Sequence, residues 1–191
     1  MIYETIITSV CADGGVHIAP FGIRERDDYV VIAPFRPSTT LDNLLRTRCA
    51  VVNATDDVRI FAGAMTGRRE WPVGPAQKID GYVLQAALAH RELELAEIRD
   101  NAVRPELVFR VVHAVSHRPF HGFNRAQAAV LEAAVLVSRL HMLPPEKIET
   151  EMAYLAIAVE KTAGEHERQA WSWLMETIEN YKAQQRGENL A

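Results

Sequence analysis

Arg36-Pro-Ser-Thr-Thr-Leu-Asp-Asn-Leu44, followed by the apolar run Cys49-Ala-Val-Val-Asn53, decides how this chain is read. The first stretch sets a guanidinium, three successive hydroxyls and a helix start within a few positions, and a strand follows directly. Thr40 reads as the N-cap of a short helix running from Leu41 to about Thr47. Ser38 and Thr39 add donors at its mouth, Asn43 lies one turn in, and Arg36 supplies the full charge. Free N–H groups and the positive end of the helix dipole converge at such a start, which suits a phosphate monoester. The same residues also suit an ordinary capped helix, because Ser and Thr are common N-caps.

Outward from this segment, the first half of the chain has the period of a β-structure. Residues 3–10 alternate, Cys11-Ala-Asp-Gly-Gly15 has turn chemistry, and residues 16–22 begin a second strand. Arg26-Asp-Asp28 turns into Tyr29-Val-Val-Ile-Ala-Pro-Phe35. Residues 49–53 and 58–66 read as further strands separated by Asp56-Asp57. Residues 68–74 read as a loop and 80–89 as a short helix. Residues 93–97 and 107–115 read as paired strands, and short strands at this spacing argue for a sandwich or barrel. Beyond His117 the period becomes helical. Asn124 with Gln127 forms a capping-box pattern for a helix reaching about His141. Pro144-Pro145 opens the next helix, with Ile148, Met152, Leu155 and Val159 on one face and Gly164 as its C-cap. Trp171, Leu174, Ile178 and Tyr181 mark the last. The expected organisation is a barrel over residues 1–118 and a three-helix segment over 119–191, packed on the barrel and a dimer partner.

Composition narrows the class. The 191 residues are 48% apolar and 24% charged, enough to bury a core, and read as globular. A net charge of −4 gives no general reason to expect nucleic acid or an anionic membrane as partner, so any anion site must be local. Residues 1–10 carry a Glu and no basic region, unlike a signal peptide. No apolar run is long enough to span a membrane. Cys11 and Cys49 lack metal spacing and read as buried free thiols. A cytoplasmic protein is expected.

Thr40-x-x-Asn43-Leu44, Thr47 and Cys49-Ala-Val-Val-Asn53 resemble the phosphate-binding segment of flavin-reductase-like split barrels, which bind FMN. With Ile18-Ala-Pro-Phe-Gly22, Asn53-Ala-Thr-Asp-Asp57 and Gly122-Phe-Asn-Arg-Ala126, the resemblance extends over most of the chain to the domain-of-unknown-function 447 family. It implies an FMN-binding split β-barrel followed by a C-terminal three-helix segment, a homodimer with FMN at the subunit interface, and the flavin ring lying along residues 19–22.

FMN requires cationic and hydroxyl contacts to its phosphate, an apolar slot for its ring, and polar groups at the pyrimidine edge. Arg36, Ser38, Thr39, Thr40 and Asn43 suit the phosphate. Ala19, Pro20, Phe21 and Gly22 suit the ring, where Pro20 withholds an N–H and Gly22 permits close approach. Asn53 and Asp57 suit the ring edge or ribityl chain, and equally a strand-end turn. His121, Phe123 and Arg125 suit a contribution from the neighbouring chain, or a hinge whose aromatics anchor the helices. His113, His117 and His121 cluster in sequence, but no Cys or carboxylate completes a zinc spacing, and no metal site is expected. No nucleophile elbow, dinucleotide fingerprint or P-loop is present. The implied activity is an FMN-dependent oxidoreductase acting on a small-molecule substrate or electron donor. The resemblance also hints at one-carbon, pterin-linked metabolism. The alternative is a non-catalytic flavin carrier, sensor or partner-binding module.

Overall fold

A first strand buried on both faces from Thr5 to Ser9 and a Gly-containing turn build the first hairpin of the computed structural model, which describes residues 1–188. Strands β1 (Ile2–Val10) and β2 (Val16–Arg26) pair antiparallel from Ile2↔Arg24 to Val10↔Val16. Gly14 at φ 84° makes the tight turn between them, a conformation that costs glycine little. Strand β3 (Tyr29–Ile32) follows, then helix α1 (Thr39–Thr47), strand β4 (Cys49–Ala54) and helix α2 (Arg59–Met65). The short strands β5 (Val73–Pro75) and β6 (Tyr82–Leu84) form their own two-stranded sheet. Strands β7 (Ala89–Arg99) and β8 (Glu106–Ser116) precede helices α3 (Arg125–Val137), α4 (Pro145–Thr162) and α5 (Glu165–Glu188).

Six strands close a barrel in the order β1-β2-β3-β8-β7-β4, and β4 seals it by pairing antiparallel with β1 from Ile6↔Asn53 to Thr8↔Val51. Its interior is a continuous apolar cluster that includes Ile7, Ile23, Leu44, Val52, Leu93 and Phe109. Burial of such side chains, at about 1.5–3 kcal/mol each, is the main force closing the barrel. Helix α1 contributes Leu41 and Leu44 to the same cluster.

The chain forms two compact units: Met1–Asp56 with Arg69–Phe120, and Asp57–Arg68 with the chain from His121 onward. The helical unit therefore draws in residues 57–68, which an undivided barrel over 1–118 does not provide for. Residues 58–66, expected as a strand, fold as α2. Val58 and Ala62, one turn apart, are buried in the helical cluster with Val130, Ala133 and Leu174. A short apolar run fits either a buried strand or a buried helix, and here helix packing decides. Asp57 starts this helix by accepting the Arg59 N–H at 3.2 Å.

Residues 80–89, expected as a helix, hold strand β6, a turn at residues 85–86 and the first residue of β7. Asn53 Oδ1 accepts the Leu84 N–H at 2.9 Å, and Thr8 Oγ1 donates to the Tyr82 carbonyl. Barrel side chains take the backbone groups a helix needs.

In the helical unit, Asn124 caps α3 by accepting the N–H groups of Ala126 and Gln127. Gln127 does not close a capping box; its amide donates to Glu167 at 3.1 Å. Helix α3 ends at Val137 rather than near His141. Gly164 is not a C-cap, since the cap residue Ala163 is extended and the Gly164 N–H donates to Glu167 Oε2 at 2.9 Å. Leu174 and Ile178 are buried, with Trp171 and Tyr181 packed beside them. Cys11 and Cys49 are free but only partly buried. Burial, then the nearby Glu94 and Asp80 carboxylates, pushes the Cys49 thiol up. No helix among the described residues is long and apolar enough to cross a membrane.

Candidate functional site

Ser38, not Thr40, caps α1. Its backbone is extended, and its Oγ accepts the Leu41 N–H at 3.2 Å while its carbonyl accepts from Asp42 at 3.1 Å. Helix geometry leaves the N–H groups of Thr39 and Thr40 without an intrahelical acceptor. Thr39 is exposed at this mouth. Thr40 is buried, and its Oγ1 lies 3.1 Å from His17 Nε2. Asn43, one turn on, donates to Ser9 Oγ at 3.1 Å and Cys11 Sγ at 3.6 Å. Ser9 and His17 are register partners at the end of the first hairpin. Thr40 and Asn43 therefore brace α1 against that hairpin and hold its start in place.

His17 and Arg69 join this neighbourhood without any sequence signal. Burial, and secondarily the Arg69 guanidinium, holds His17 below the ordinary imidazole range. A group with a lowered folded pKa favours the unfolded chain as pH falls below its unfolded value, about 6.5 for histidine. Neutral His17 thus costs nothing above that pH and loses stability on acidification. Urea midpoints of wild type and His17→Gln, measured from about pH 7.5 to 5, should show the difference moving against wild type as pH falls. A constant difference contradicts this assignment.

Arg36 sits on a braced strap. Its N–H donates to the Val103 carbonyl at 2.9 Å, and Arg104 Nε donates to the Ala33 carbonyl at 2.7 Å. The Arg36 guanidinium pairs with Asp100 at 2.7 Å, where Asp100 is 80% exposed. Such a pair is worth at most about 1 kcal/mol, so a phosphate dianion can compete for the guanidinium.

Strand β2 pairs with β3 only from Arg24 onward, so residues 19–22 are laddered to β1 alone. Phe21 packs against the barrel core, and its carbonyl accepts from Thr5 Oγ1 at 3.0 Å. Phe21 is itself only partly buried. Ala19, Pro20 and Gly22 are half-buried. A Cβ on Gly22 would lie 2.7 Å from Ile2 Cγ2, so any larger residue here must displace the Ile2 side chain on the neighbouring strand.

Asn53 is not at any ligand's disposal. It is fully buried, donating to the Ile6 carbonyl at 3.2 Å and Thr8 Oγ1 at 3.3 Å while accepting from Leu84. Asp57 belongs to the helical unit, where it holds the Arg59 guanidinium at 2.6 Å. His121, Phe123 and Arg125 also belong to that unit and are exposed, Phe123 almost completely.

The histidines group differently from their sequence order. His113 and His117 gather with His90 and Glu92 in the barrel unit, and His121 lies in the other unit. Glu92 is fully buried and accepts the N–H groups of Gln77, Lys78 and Ile79 at 2.7, 2.6 and 3.2 Å. Burial alone raises its carboxyl, but these donors and His90 outweigh burial and hold it below the usual range.

The chain's likenesses agree with this architecture. The family model described as "Protein of unknown function (DUF447) N-terminal domain" matches residues 3–118, and its companion, "Protein of unknown function (DUF447)", matches residues 124–176. An FMN-bound protein of Methanosarcina mazei, matched by the same family model, superposes with a TM-score of 0.79 at 22% identity. The match covers 92% of this chain and 94% of that one. A Pseudomonas fluorescens 2-nitrobenzoate 2-nitroreductase superposes with a TM-score of 0.52 at 21% identity, over 60% of this chain and 64% of its own. An FMN-binding protein of Thermus thermophilus gives 0.51 at 19% identity, over 60% and 71%. No curated protein matches the sequence. The fold is that of FMN-binding split barrels.

Proposed function

We propose, from the premise that this chain belongs to the DUF447 family, that it is an FMN-binding flavoprotein acting as a flavin-dependent oxidoreductase on a small molecule. The observation that carries the reading is the mouth of α1. There Ser38 and the Thr39 N–H meet the positive end of a helix rigidly braced by Thr40 and Asn43, with Arg36 as a cation whose present partner is weak. Those donors fit a phosphate monoester. The strand segment Ala19–Gly22, laddered on one side only, offers backbone groups to a flat heterocycle. Arg69, whose charge acts on His17, adds a second cation to the neighbourhood. When bound, the flavin supplies the electron or hydride transfer, and the protein holds and orients it.

A homodimer with FMN at its interface is part of this reading, with the exposed His121, Phe123 and Arg125 offered to the partner's flavin. A substrate from one-carbon, pterin-linked metabolism is its most specific extension. Anaerobic titration with NADH, NADPH and a reduced deazaflavin decides between enzyme and carrier. Flavin that stays oxidised under all three supports the carrier.

The phosphate assignment is tested with Ser38→Asp. Aspartate is as good an N-cap as serine, so the helix is retained. Its carboxylate then opposes the phosphate, and like-charge juxtaposition costs several kcal/mol, so FMN affinity should fall at least about 100-fold. Riboflavin, which lacks the phosphate, should bind wild type and variant equally. Equal FMN affinity in the two proteins contradicts the assignment. Asp100→Ala should act in the opposite direction. Releasing Arg36 from its pair is worth up to about 1 kcal/mol, so FMN should bind up to ~5-fold more tightly. Equilibrium fluorescence quenching of the flavin measures both.

A further inference from the structure

A buried cluster on the β7–β8 ladder carries chemistry that the barrel's packing does not need. His90 and Glu92 lie two apart on β7 and so share a face. His113 is the register partner of Glu92 on β8, and the ladder shifts immediately afterwards, between Glu92 and Leu93. One donor atom from each of the three lies within 4.8 Å of the others. His113 Nε2 is buried and has no hydrogen-bond partner among the described residues. A buried ring nitrogen left in that state is destabilising by about 1–3 kcal/mol.

The distances favour an ion over a hydrogen bond. His90 Nε2 and Glu92 Oε1 are 3.4 Å apart, long for a charge-assisted hydrogen bond, which runs at about 2.7–2.9 Å. That separation matches the edge of a tetrahedron with bonds of about 2.1 Å. His113 Nε2, the third donor, lies within 4.8 Å of both atoms, and turning its ring toward them brings it to the same bond length.

An outer shell is already in place. His90 Nδ1 lies 2.8 Å from His117 Nε2, with the two rings stacked at 4.9 Å. With Nδ1 donating to His117, the lone pair of His90 Nε2 is free for a metal, the arrangement common to ligating histidines. The Glu92 carboxylate is fixed by three backbone N–H groups and cannot turn away. Two imidazoles and one carboxylate select a first-row transition ion over magnesium or calcium.

We propose that His90 Nε2, Glu92 Oε1 and His113 Nε2 form a binding site for a divalent first-row transition ion, zinc being a fitting occupant, with a further position open to water. The ion ties β7, β8 and the loop at residues 77–79 together. The proposal stands apart from the flavin reading, since it uses none of the same side chains.

The full chain, stripped with a chelator and titrated with zinc sulfate against a chromogenic competitor, tests it. One equivalent per chain is expected. His113→Asn should weaken zinc by more than the ~10–100-fold typical of outer-shell changes, and His117→Asn by an amount within that range. Both variants should keep wild-type FMN affinity. Zinc binding that is absent in wild type, or equal in wild type and His113→Asn, overturns the proposal. Should His113→Asn fail to fold, anomalous scattering at the zinc edge from wild-type crystals decides. A peak among the three named atoms supports the site, and no peak or a peak elsewhere overturns it.

Discussion

Asn53→Leu is expected to lower the stability of the folded chain by about 3 kcal/mol. The side chain is fully buried and joins three strands: its amide donates to the Ile6 carbonyl and Thr8 Oγ1 on β1, and its carbonyl accepts the Leu84 N–H of β6. Leucine fills much of the same space but satisfies none of these groups. The Leu84 N–H and Ile6 carbonyl then lose their Asn53 partner inside the protein, at about 1–3 kcal/mol each. Some of that loss is recovered because leucine is more favourable to bury. Urea unfolding followed by circular dichroism measures the effect as a lower midpoint at unchanged slope. The control is flavin. A ring ligand lost at this position would release FMN from protein that is still folded, whereas a lost strut leaves affinity unchanged until the chain unfolds. Loss of FMN at wild-type stability contradicts the structural role.

Asn53 also shows where sequence reasoning reaches its limit. Its position after an apolar strand and before Thr55-Asp56-Asp57 suits either a ligand or a turn, and periodicity cannot say which way a strand-end amide points. That the first half is β-structure was legible, because short apolar runs and the Gly14 turn are local properties of the chain, whereas the choice of barrel over sandwich came with the family resemblance. Helix α1 was legible too, although its cap was misplaced by two residues. Ser38 and Thr40 are equally good caps by composition. The extended backbone at Ser38 distinguishes them, and that follows from the strap anchored on Val103 and Arg104.

The elements that were misread share one cause. Residues 58–66 become a helix because Val58 and Ala62 find a helical cluster to pack against. Residues 82–84 form a strand instead of a helix because Asn53 and Thr8 take backbone groups of Leu84 and Tyr82. In each case a partner far away in sequence overrides the local preference. The histidine cluster was hidden for the same reason. His90-x-Glu92 is a recognisable strand pair, but its third member lies across a ladder whose register no single sequence reveals. Grouping by proximity in sequence kept His113 with His117 but added His121, which lies in the other unit, and missed His90.

Glu92→Ala should produce the largest local effect, opening the loop at residues 77–79. Three consecutive backbone N–H groups converge on one carboxylate there, and hydrogen bonds to a charged group contribute about 1.5–3 kcal/mol each. Against this, removing the charge recovers the desolvation that burial imposes, which in real proteins amounts to several kcal/mol per ion. The balance leaves a net loss of about 3 kcal/mol, with the loop as the place where it is felt, since the strands on either side keep their own ladders. Lys78 is exposed within this loop, so trypsin reads its opening directly. When opening and closing are fast relative to cleavage, the cutting rate follows the population of the open form, and 3 kcal/mol corresponds to about a 100-fold faster cut after Lys78. Mass spectrometry of the first fragments identifies the site. Glu92→Gln should fall between the two proteins, because its carbonyl still accepts while its amide NH2 opposes a neighbouring donor. Both measurements belong on chelator-treated protein, so that the carboxylate's grip on the loop is read without any bound ion. Cleavage after Lys78 at the wild-type rate in Glu92→Ala, with the barrel still folded, would show that the loop is held by something other than this side chain.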